Sequence, residues 1–159
     1  MRIGIGYDIH RLVRGRKLKL GGLELSHTHG SSGHSDGDVL IHAVVDAMLG
    51  AAGLGDIGGH FSDKDPRWKD ADSRFFLRAV RAMLAKNRLR VVNVDATLVL
   101  ERPNVSKFKK KMAAALAVEL GIKSSQINVK AKTQEGLGPI GQGQAVACLA
   151  VVSLEGKKA

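Results

Sequence analysis

The stretch Gln144-Ala-Val-Ala-Cys-Leu-Ala-Val-Val-Ser-Leu154 decides the fold. It is nearly all apolar and reads as a central β-strand buried on both faces. Moving outward, three other segments alternate apolar and polar residues, the pattern of strands with one buried face. Arg2–Tyr7 sets Ile3, Ile5 and Tyr7 against glycines. Val92–Leu100 puts Val92, Val94, Ala96, Leu98 and Leu100 on one side, and Gln126–Thr133 does the same with Ile127, Val129 and Ala131. Lys17–Leu20 and Leu23–Leu25 flank Gly21-Gly22, a tight-hairpin signal. Three helices are predicted. One runs from Asp38 to Leu49, with Ser35 or Asp36 near its start and Gly50 near its end. The second covers Ser73–Asn87, capped by Ser73, and the third covers Ser106–Leu120, ending at Gly121. The order β, ββ, α, α, β, α, β, β predicts an α+β or mixed α/β fold, in a single domain over residues 1–159.

The 159 residues are 44% hydrophobic, enough for a sizeable core and too many for a disordered chain. Aromatic residues are only 4%, so that core rests on Val, Leu, Ile and Ala. Twenty-five Lys and Arg against 15 Asp and Glu leave a net charge of +10, which favours anionic partners without choosing among them. The single Cys148 excludes an internal disulfide and a cysteine-based zinc module, and in its apolar run it reads as a buried thiol. No segment approaches the roughly 18 apolar residues of a membrane span. The chain opens on a strand pattern with no leader signal, so a cytoplasmic protein is expected. Gly136-Leu-Gly138-Pro-Ile-Gly141 matches a dinucleotide fingerprint, but only 18 residues follow it, with no room for the helix, second strand and acidic partner that fingerprint needs. Those glycines are read as a bend. Lys107, Lys109, Lys110 and Lys111 crowd the start of the third helix, as a solvated face or an anion contact.

The chemistry concentrates in and around two long loops, Ser26–Gly37 and Ala51–Asp72, both rich in Gly, Asp, His and Ser. Asp8 and His10, at positions i and i+2 of an extended segment, project to the same side. With His42 they form an O/N/N set of the kind that holds zinc with a fourth position open. Spacing alone leaves a metal site and packed histidines as alternatives. Asp46 lies one turn after His42, suited either to orienting Asp8's histidine partners or to a helix contact. His34-Ser35-Asp36-Gly37-Asp38 contains more polar groups than capping a helix requires, while Asp56, Asp63 and Asp65 suit cation or hydroxyl binding as well as plain solvation.

Read in order, these segments resemble the 2-C-methyl-D-erythritol 2,4-cyclodiphosphate synthase family. The resemblance rests on Arg2-Ile-Gly-Ile-Gly-Tyr-Asp-Ile-His10, His34-Ser-Asp-Gly-Asp-Val-Leu-Ile-His42, Asp46-Ala-Met-Leu-Gly-Ala51, Gly55-Asp-Ile-Gly58, Phe61-Ser-Asp-Lys-Asp-Pro66, Ala71-Asp-Ser73, Asn93-Val-Asp95 and Lys130-Ala-Lys-Thr-Gln-Glu135. It implies a metal-dependent lyase of the non-mevalonate isoprenoid pathway. Its substrate would be 4-diphosphocytidyl-2-C-methyl-D-erythritol 2-phosphate, and its products the cyclic diphosphate and CMP. Asp8, His10 and His42 would bind Zn2+, and Glu135 a second divalent cation, Mg2+ or Mn2+. His34 and Thr133 would hold phosphate oxygens in the transition state, with Ser35 on the 2-phosphate. Asp56, Ile57 and Gly58 would hold the methylerythritol, under a loop containing Phe61, Asp63 and Asp65. Leu100, Glu101, Arg102, Pro103, Ala131 and Lys132 would line the cytidine pocket. The resemblance further implies an α+β fold, a single domain with a mixed β-sheet packed on one side by helices, assembled as a homotrimer with active sites between subunits, and neither nucleic acid nor membrane as a partner.

The chain departs from that pattern at Asn104, where a Lys is common, and at Pro139, Gln142 and Gln144. Many family members carry an aromatic residue in place of Pro139, and Arg and Glu in place of the two glutamines. These three positions would line a cavity on the threefold axis associated with isoprenoid diphosphates, and loss of the Arg implies a weaker diphosphate site. Three rival readings remain at this point: a small basic nucleic-acid binder, a trimer whose histidines merely pack, and a hydrolase using the same metal triad. The few aromatics and the lack of a recognition motif argue against the first.

Overall fold

The computed structural model describes Met1–Gly156; the last residues of the expected single domain, 157–159, lie outside the described residues. Its centre is a five-stranded mixed sheet built from β1 (Arg2–Arg14), β4 (His29–Ser32), β5 (Leu89–Val99), β6 (Ile127–Lys132) and β7 (Ala145–Gly156), in the order β4-β1-β7-β5-β6. Only β5 and β6 run parallel; the other neighbours are antiparallel. The expected Gly21-Gly22 hairpin forms a separate ribbon, β2 (Leu18–Leu20) with β3 (Leu23–Leu25). Helices α1 (Val39–Ala52), α3 (Arg74–Lys86) and α4 (Lys109–Leu120) cover one face, and α2 (Ile57–His60) and α5 (Gly138–Gly141) are single turns.

β7 is central as expected, yet it is buried on both faces only along Ala145–Cys148. Beyond that it alternates, with Leu149 and Val151 open to solvent. They pair with Tyr7 and Ile5 of β1, which are also exposed, so the helix-free face of the sheet carries an apolar strip. A continuous hydrophobic run therefore marks a strand whose second face is left uncovered within one chain.

β1 runs past the expected Tyr7 to Arg14, so Asp8 and His10 lie within the strand instead of after it. β4 emerges from the long Ser26–Gly37 segment by pairing with Arg11–Arg14, through backbone bonds that His29-Gly-Ser-Ser32 does not advertise by hydrophobic alternation. In β5 a register shift between Val91 and Asn93 turns Val91 inward in place of Val92. Helix α1 continues through Gly50 to Ala52, because Gly53 takes the left-handed position that ends it (φ 72°). Its N-cap is Asp38, not Ser35 or Asp36. The Asp38 carboxylate accepts bonds from the backbone N–H groups of Ile41 (3.1 Å), Gly21 (2.9 Å) and Gly22 (2.7 Å), tying the small ribbon to the start of α1.

Candidate metal centre and substrate site

Two glycines set the position of the site. The inward residues of β1 are Gly4, Gly6, Asp8 and His10, opposite Val152, Ala150, Cys148 and Val146 of β7. A Cβ on Gly6 would lie 2.0 Å from the Ala43 carbonyl oxygen, and one on Gly4 2.1 Å from that of Ala47. Helix α1 thus rests directly on the strand backbone. The next inward positions, Asp8 and His10, then meet the first turn of the same helix, which carries His42. Asp8 Oδ2 is 3.0 Å from His42 Nδ1 and 3.1 Å from His10 Nδ1, and the two rings are 5.2 Å apart. Burial pushes the Asp8 carboxyl up, but the His10 and His42 rings beside it outweigh that and hold the group below the usual carboxylate range.

These side chains fit a divalent metal. Ligands about 2.0–2.2 Å from a tetrahedral ion stand about 3.3 Å from one another, close to the two separations observed. His10 Nδ1 is buried and makes no hydrogen bond, although it lies close to Asp8, so one nitrogen aimed at the cluster has no protein partner. No other group of three such residues forms among the described residues. Gly33 closes the far side of His10: a Cβ there would lie 2.7 Å from Nε2.

Behind His42 lies a second tier. Its Nε2 is 3.0 Å from Ser73 Oγ and 3.1 Å from Ser35 Oγ. Ser73 donates its hydroxyl to Asp36 Oδ1 in a very short bond, and Asp36 Oδ2 pairs with Lys19 Nζ at 3.3 Å. Ser73 stands at the start of α3 as expected, yet its side chain does not cap the helix. A serine cap is worth about 1 kcal/mol, and here that contact is given up for one with Asp36 and His42. Asp46 does not reach either histidine. It accepts the Ile57 N–H at 2.7 Å and so fixes the start of α2 against α1.

A cavity of about 460 Å³ opens onto the cluster, lined by His34, Ser35, Ile57, Gly58, Phe61 and Asp63 together with Asp8, His10 and His42. Sequence reasoning missed Gly33, Trp68 and Phe76 in the same wall. Phe61 packs edge-on against Trp68, so the one tryptophan in a polar loop was the available signal. His34 Nε2 is 3.0 Å from the Asp65 carbonyl oxygen, which holds the ring against the loop. Asp56 and Asp65 stand beside the cavity without lining it. Asp56 accepts the Gly59 N–H at 2.8 Å, and Asp65 grips the Arg67 guanidinium, which keeps its carboxyl below the usual range.

The remaining expected residues gather elsewhere. Leu100, Glu101, Pro103, Ala131, Lys132 and Thr133 line a shallow pocket of about 110 Å³ between β5 and β6, with Arg102 beside it. Thr133 donates to Glu135 at 2.6 Å, and Glu135 sits in the left-handed region (φ 51°). Asp8, Cys148, Leu98 and Ala131 occupy one row across the sheet. Three strand spacings of about 4.8 Å separate its ends by about 14 Å. One chain therefore does not bring Thr133 and Glu135 to Asp8 and the histidines. Asn104 caps its own turn through Ser106, while Pro139, Gln142 and Gln144 border a cavity of about 900 Å³ with Arg11 and His29. Cys148 is buried, and burial pushes its thiol up, away from nucleophilic use. The Gly136–Gly141 bend carries only the short α5, followed by β7, so the dinucleotide motif is a coincidence of spacing.

The sequence matches the YgbB family over residues 1–155. A 2-C-methyl-D-erythritol 2,4-cyclodiphosphate synthase from Dechloromonas aromatica is 52% identical over 154 residues, 97% of this chain and 96% of that protein. Among solved structures, IspF of Plasmodium falciparum, determined as a CDP complex, superposes with a TM-score of 0.86 at 38% identity, covering 99% of this chain and 97% of that one. The bifunctional IspDF of Campylobacter jejuni superposes at 0.94 with 38% identity over 98% of this chain, which spans only 42% of that longer protein. Strand order, the Asp8–His10–His42 cluster and these likenesses agree: the chain belongs to the YgbB family, the family of the 2-C-methyl-D-erythritol 2,4-cyclodiphosphate synthases.

Proposed function

We propose that the chain converts 4-diphosphocytidyl-2-C-methyl-D-erythritol 2-phosphate into 2-C-methyl-D-erythritol 2,4-cyclodiphosphate and CMP, in isoprenoid biosynthesis. An oxygen of the 2-phosphate attacks the β-phosphorus, and the bond from that phosphorus to the oxygen shared with the α-phosphate breaks. CMP carries the electron pair away. A phosphate monoester with a second pKa of about 6 is largely dianionic at neutral pH, so the nucleophile needs no general base. Positioning two anions and offsetting their charge is the whole task. The carboxylate–histidine contacts in the cavity, Asp8 with His10 and His42, would be committed to the ion in this reading, in keeping with that demand.

Asp8, His10 and His42 are the zinc ligands in this reading, and Glu135 a ligand for a second ion, Mg2+ or Mn2+. When bound, the ions would neutralise charge on the α- and β-phosphates. Ser35 and His34 hold the attacking phosphate at the cavity wall. Asp56, Ile57 and Gly58 hold the methylerythritol, with Phe61, Asp63 and Asp65 closing over it. Leu100–Pro103, Ala131 and Lys132 receive cytidine, and Thr133 faces the transferred phosphate. The enzyme is read as cytoplasmic, a compartment suited to the unpaired thiol of Cys148.

The observation that carries this reading is the division of the site. The metal-ligand cavity and the Leu100–Thr133 pocket lie at opposite edges of one sheet. Each becomes complete when the part of β1 that β4 leaves unpaired, up to His10, meets the β6 edge of the next chain. The apolar strip of Ile3, Ile5, Tyr7, Leu149 and Val151 supports a homotrimer closed about those faces. A phosphorus NMR time course with substrate and Mg2+ tests the reading. A coupled cyclic-diphosphate pair and CMP are expected, and both should vanish after zinc chelation. Unchanged substrate from folded, zinc-loaded protein, or release of a linear phosphate, would refute it.

A further inference from the structure

The contacts behind His42 assign a proton position. Ser73 Oγ has one hydrogen, and its short contact with Asp36 Oδ1, a carboxylate oxygen that can only accept, takes it. Yet the same Oγ stands 3.0 Å from His42 Nε2. Two lone pairs do not sit at that distance, so Nε2 carries a hydrogen and donates it to Ser73. Ser35 Oγ, 3.1 Å from Nε2, is a second acceptor for the same hydrogen. As a metal ligand the imidazole carries one hydrogen, here on Nε2, so Nδ1 offers its lone pair toward Asp8 Oδ2 at 3.0 Å, a contact between two acceptors that holds only with a cation between them. Asp36 is itself fixed by the Ser73 N–H (3.3 Å) and by Lys19 Nζ (3.3 Å), with a side chain only 10% exposed.

We propose that Asp36 and Ser73 are positioning residues of the metal centre: Asp36 commits the Ser73 hydroxyl, Ser73 then accepts from His42 Nε2, and His42 Nδ1 is left free to bind the ion. Lys19 balances the Asp36 charge. Neither Asp36 nor Ser73 touches the metal or the substrate in this account, which rests on the reading of Asp8, His10 and His42 as zinc ligands. It explains why Ser73 gives up its capping bond, and why Asp36 is nearly buried next to a helix that already has Asp38 as its cap. Orienting partners of this kind are typically worth 10–100-fold in metal affinity.

The test measures zinc affinity of the full chain by competition with a chromophoric chelator for the parent, Ser73→Ala and Asp36→Ala, and uses long-range proton–nitrogen NMR of 15N-histidine zinc-loaded protein to locate the His42 hydrogen. The parent should show hydrogen on Nε2. Both variants should bind zinc about 10–100-fold more weakly, and Asp36→Ala, which frees the Ser73 hydroxyl to donate, should move the His42 hydrogen toward Nδ1 in the zinc-free protein. Lys19→Met should weaken zinc less than either. Zinc affinity within threefold of the parent in both variants, or an unprotonated Nε2 in the zinc-loaded parent, overturns the proposal. The NMR measurement on the parent decides even if a variant does not fold. A parent that binds no zinc overturns the metal-site reading itself, an outcome separable from the loss of the relay alone.

Discussion

Replacing Gly6 with Ala tests how the site is built. The added methyl would stand 2.0 Å from the Ala43 carbonyl oxygen and 2.7 Å from the Ala47 N, and both are backbone atoms that no rotamer change can move aside. Normal contact requires about 3.2 Å or more, so α1 must withdraw from β1 by about 1 Å. Overpacking of this kind costs about 1–3 kcal/mol, and the backbone origin of the clash puts Gly6→Ala at the upper end. For a chain of this length each kcal/mol lowers the melting temperature by about 2–4 °C, so a fall of about 6–12 °C is expected. Because His42 rides on α1 and Asp8 on β1, a 1 Å withdrawal also spreads the 3.0 Å contact between them. Zinc affinity should drop with stability. Thermal unfolding by circular dichroism, at matched protein concentration, and binding of added zinc are the assays. A Gly6→Ala protein that melts within 2 °C of the parent and binds added zinc as tightly would refute the claim that glycine-mediated packing positions the Asp8–His10–His42 cluster.

Four further outcomes follow from particular contacts. Gly50 lies inside α1 with only the Ile5 carbonyl oxygen near, at 3.9 Å, so Gly50→Ala should stabilise the protein by about 0.5–1 kcal/mol and raise the melting temperature. Asp46→Ala removes the acceptor of the Ile57 N–H and should raise KM about tenfold, a typical loss for a hydrogen bond to a charged group, while Asp46→Asn keeps an acceptor and should stay near the parent. The Arg74 guanidinium beside Asp72 lowers that carboxyl to about 2, so its stabilisation is full above the ordinary carboxylate range and is lost as pH falls through about 2. Partial exposure limits the gain to about 1 kcal/mol or less; acid unfolding curves of the parent and Asp72→Asn should differ at pH 5 and converge near pH 2. Cys148 should resist a thiol-specific reagent at pH 8 until denaturant is added, and rapid labelling of the folded chain would contradict its burial.

Much of this architecture was legible because short-range signals and long-range packing agree. The Gly21-Gly22 hairpin, Gly121 at the end of α4 and the alternation in β6 all match their sequence patterns. Three features were not legible, each for a physical reason. β4 forms through backbone pairing alone and carries no alternating hydrophobicity. Ser73 reads as a cap by residue type, but the free energy of a second hydrogen-bond network, with partners 31 and 37 positions away, diverts its hydroxyl. The apolar run of β7 suggested two covered faces, yet Leu149 and Val151 face outward, since apolar content alone does not say what covers the second face. The site divides similarly. Asp8, His10 and His42 converge within one chain, as the spacing allowed, whereas Thr133 and Glu135 sit at the far edge of the sheet.

That division makes subunit complementation the most direct test of the central claim. Asp8→Ala disables the metal-ligand half of the site and Thr133→Ala the other half, on opposite edges of the same chain. Each variant alone should be nearly inactive in the phosphorus NMR assay. Denatured together in equal amounts and refolded, random trimers should pair an intact metal half with an intact Thr133 half at about one interface in four, given a head-to-tail closed ring. Recovery of about a quarter of parental activity is the predicted result. Mixed trimers, verified by mass, that stay as inactive as their parents would contradict a site assembled between chains.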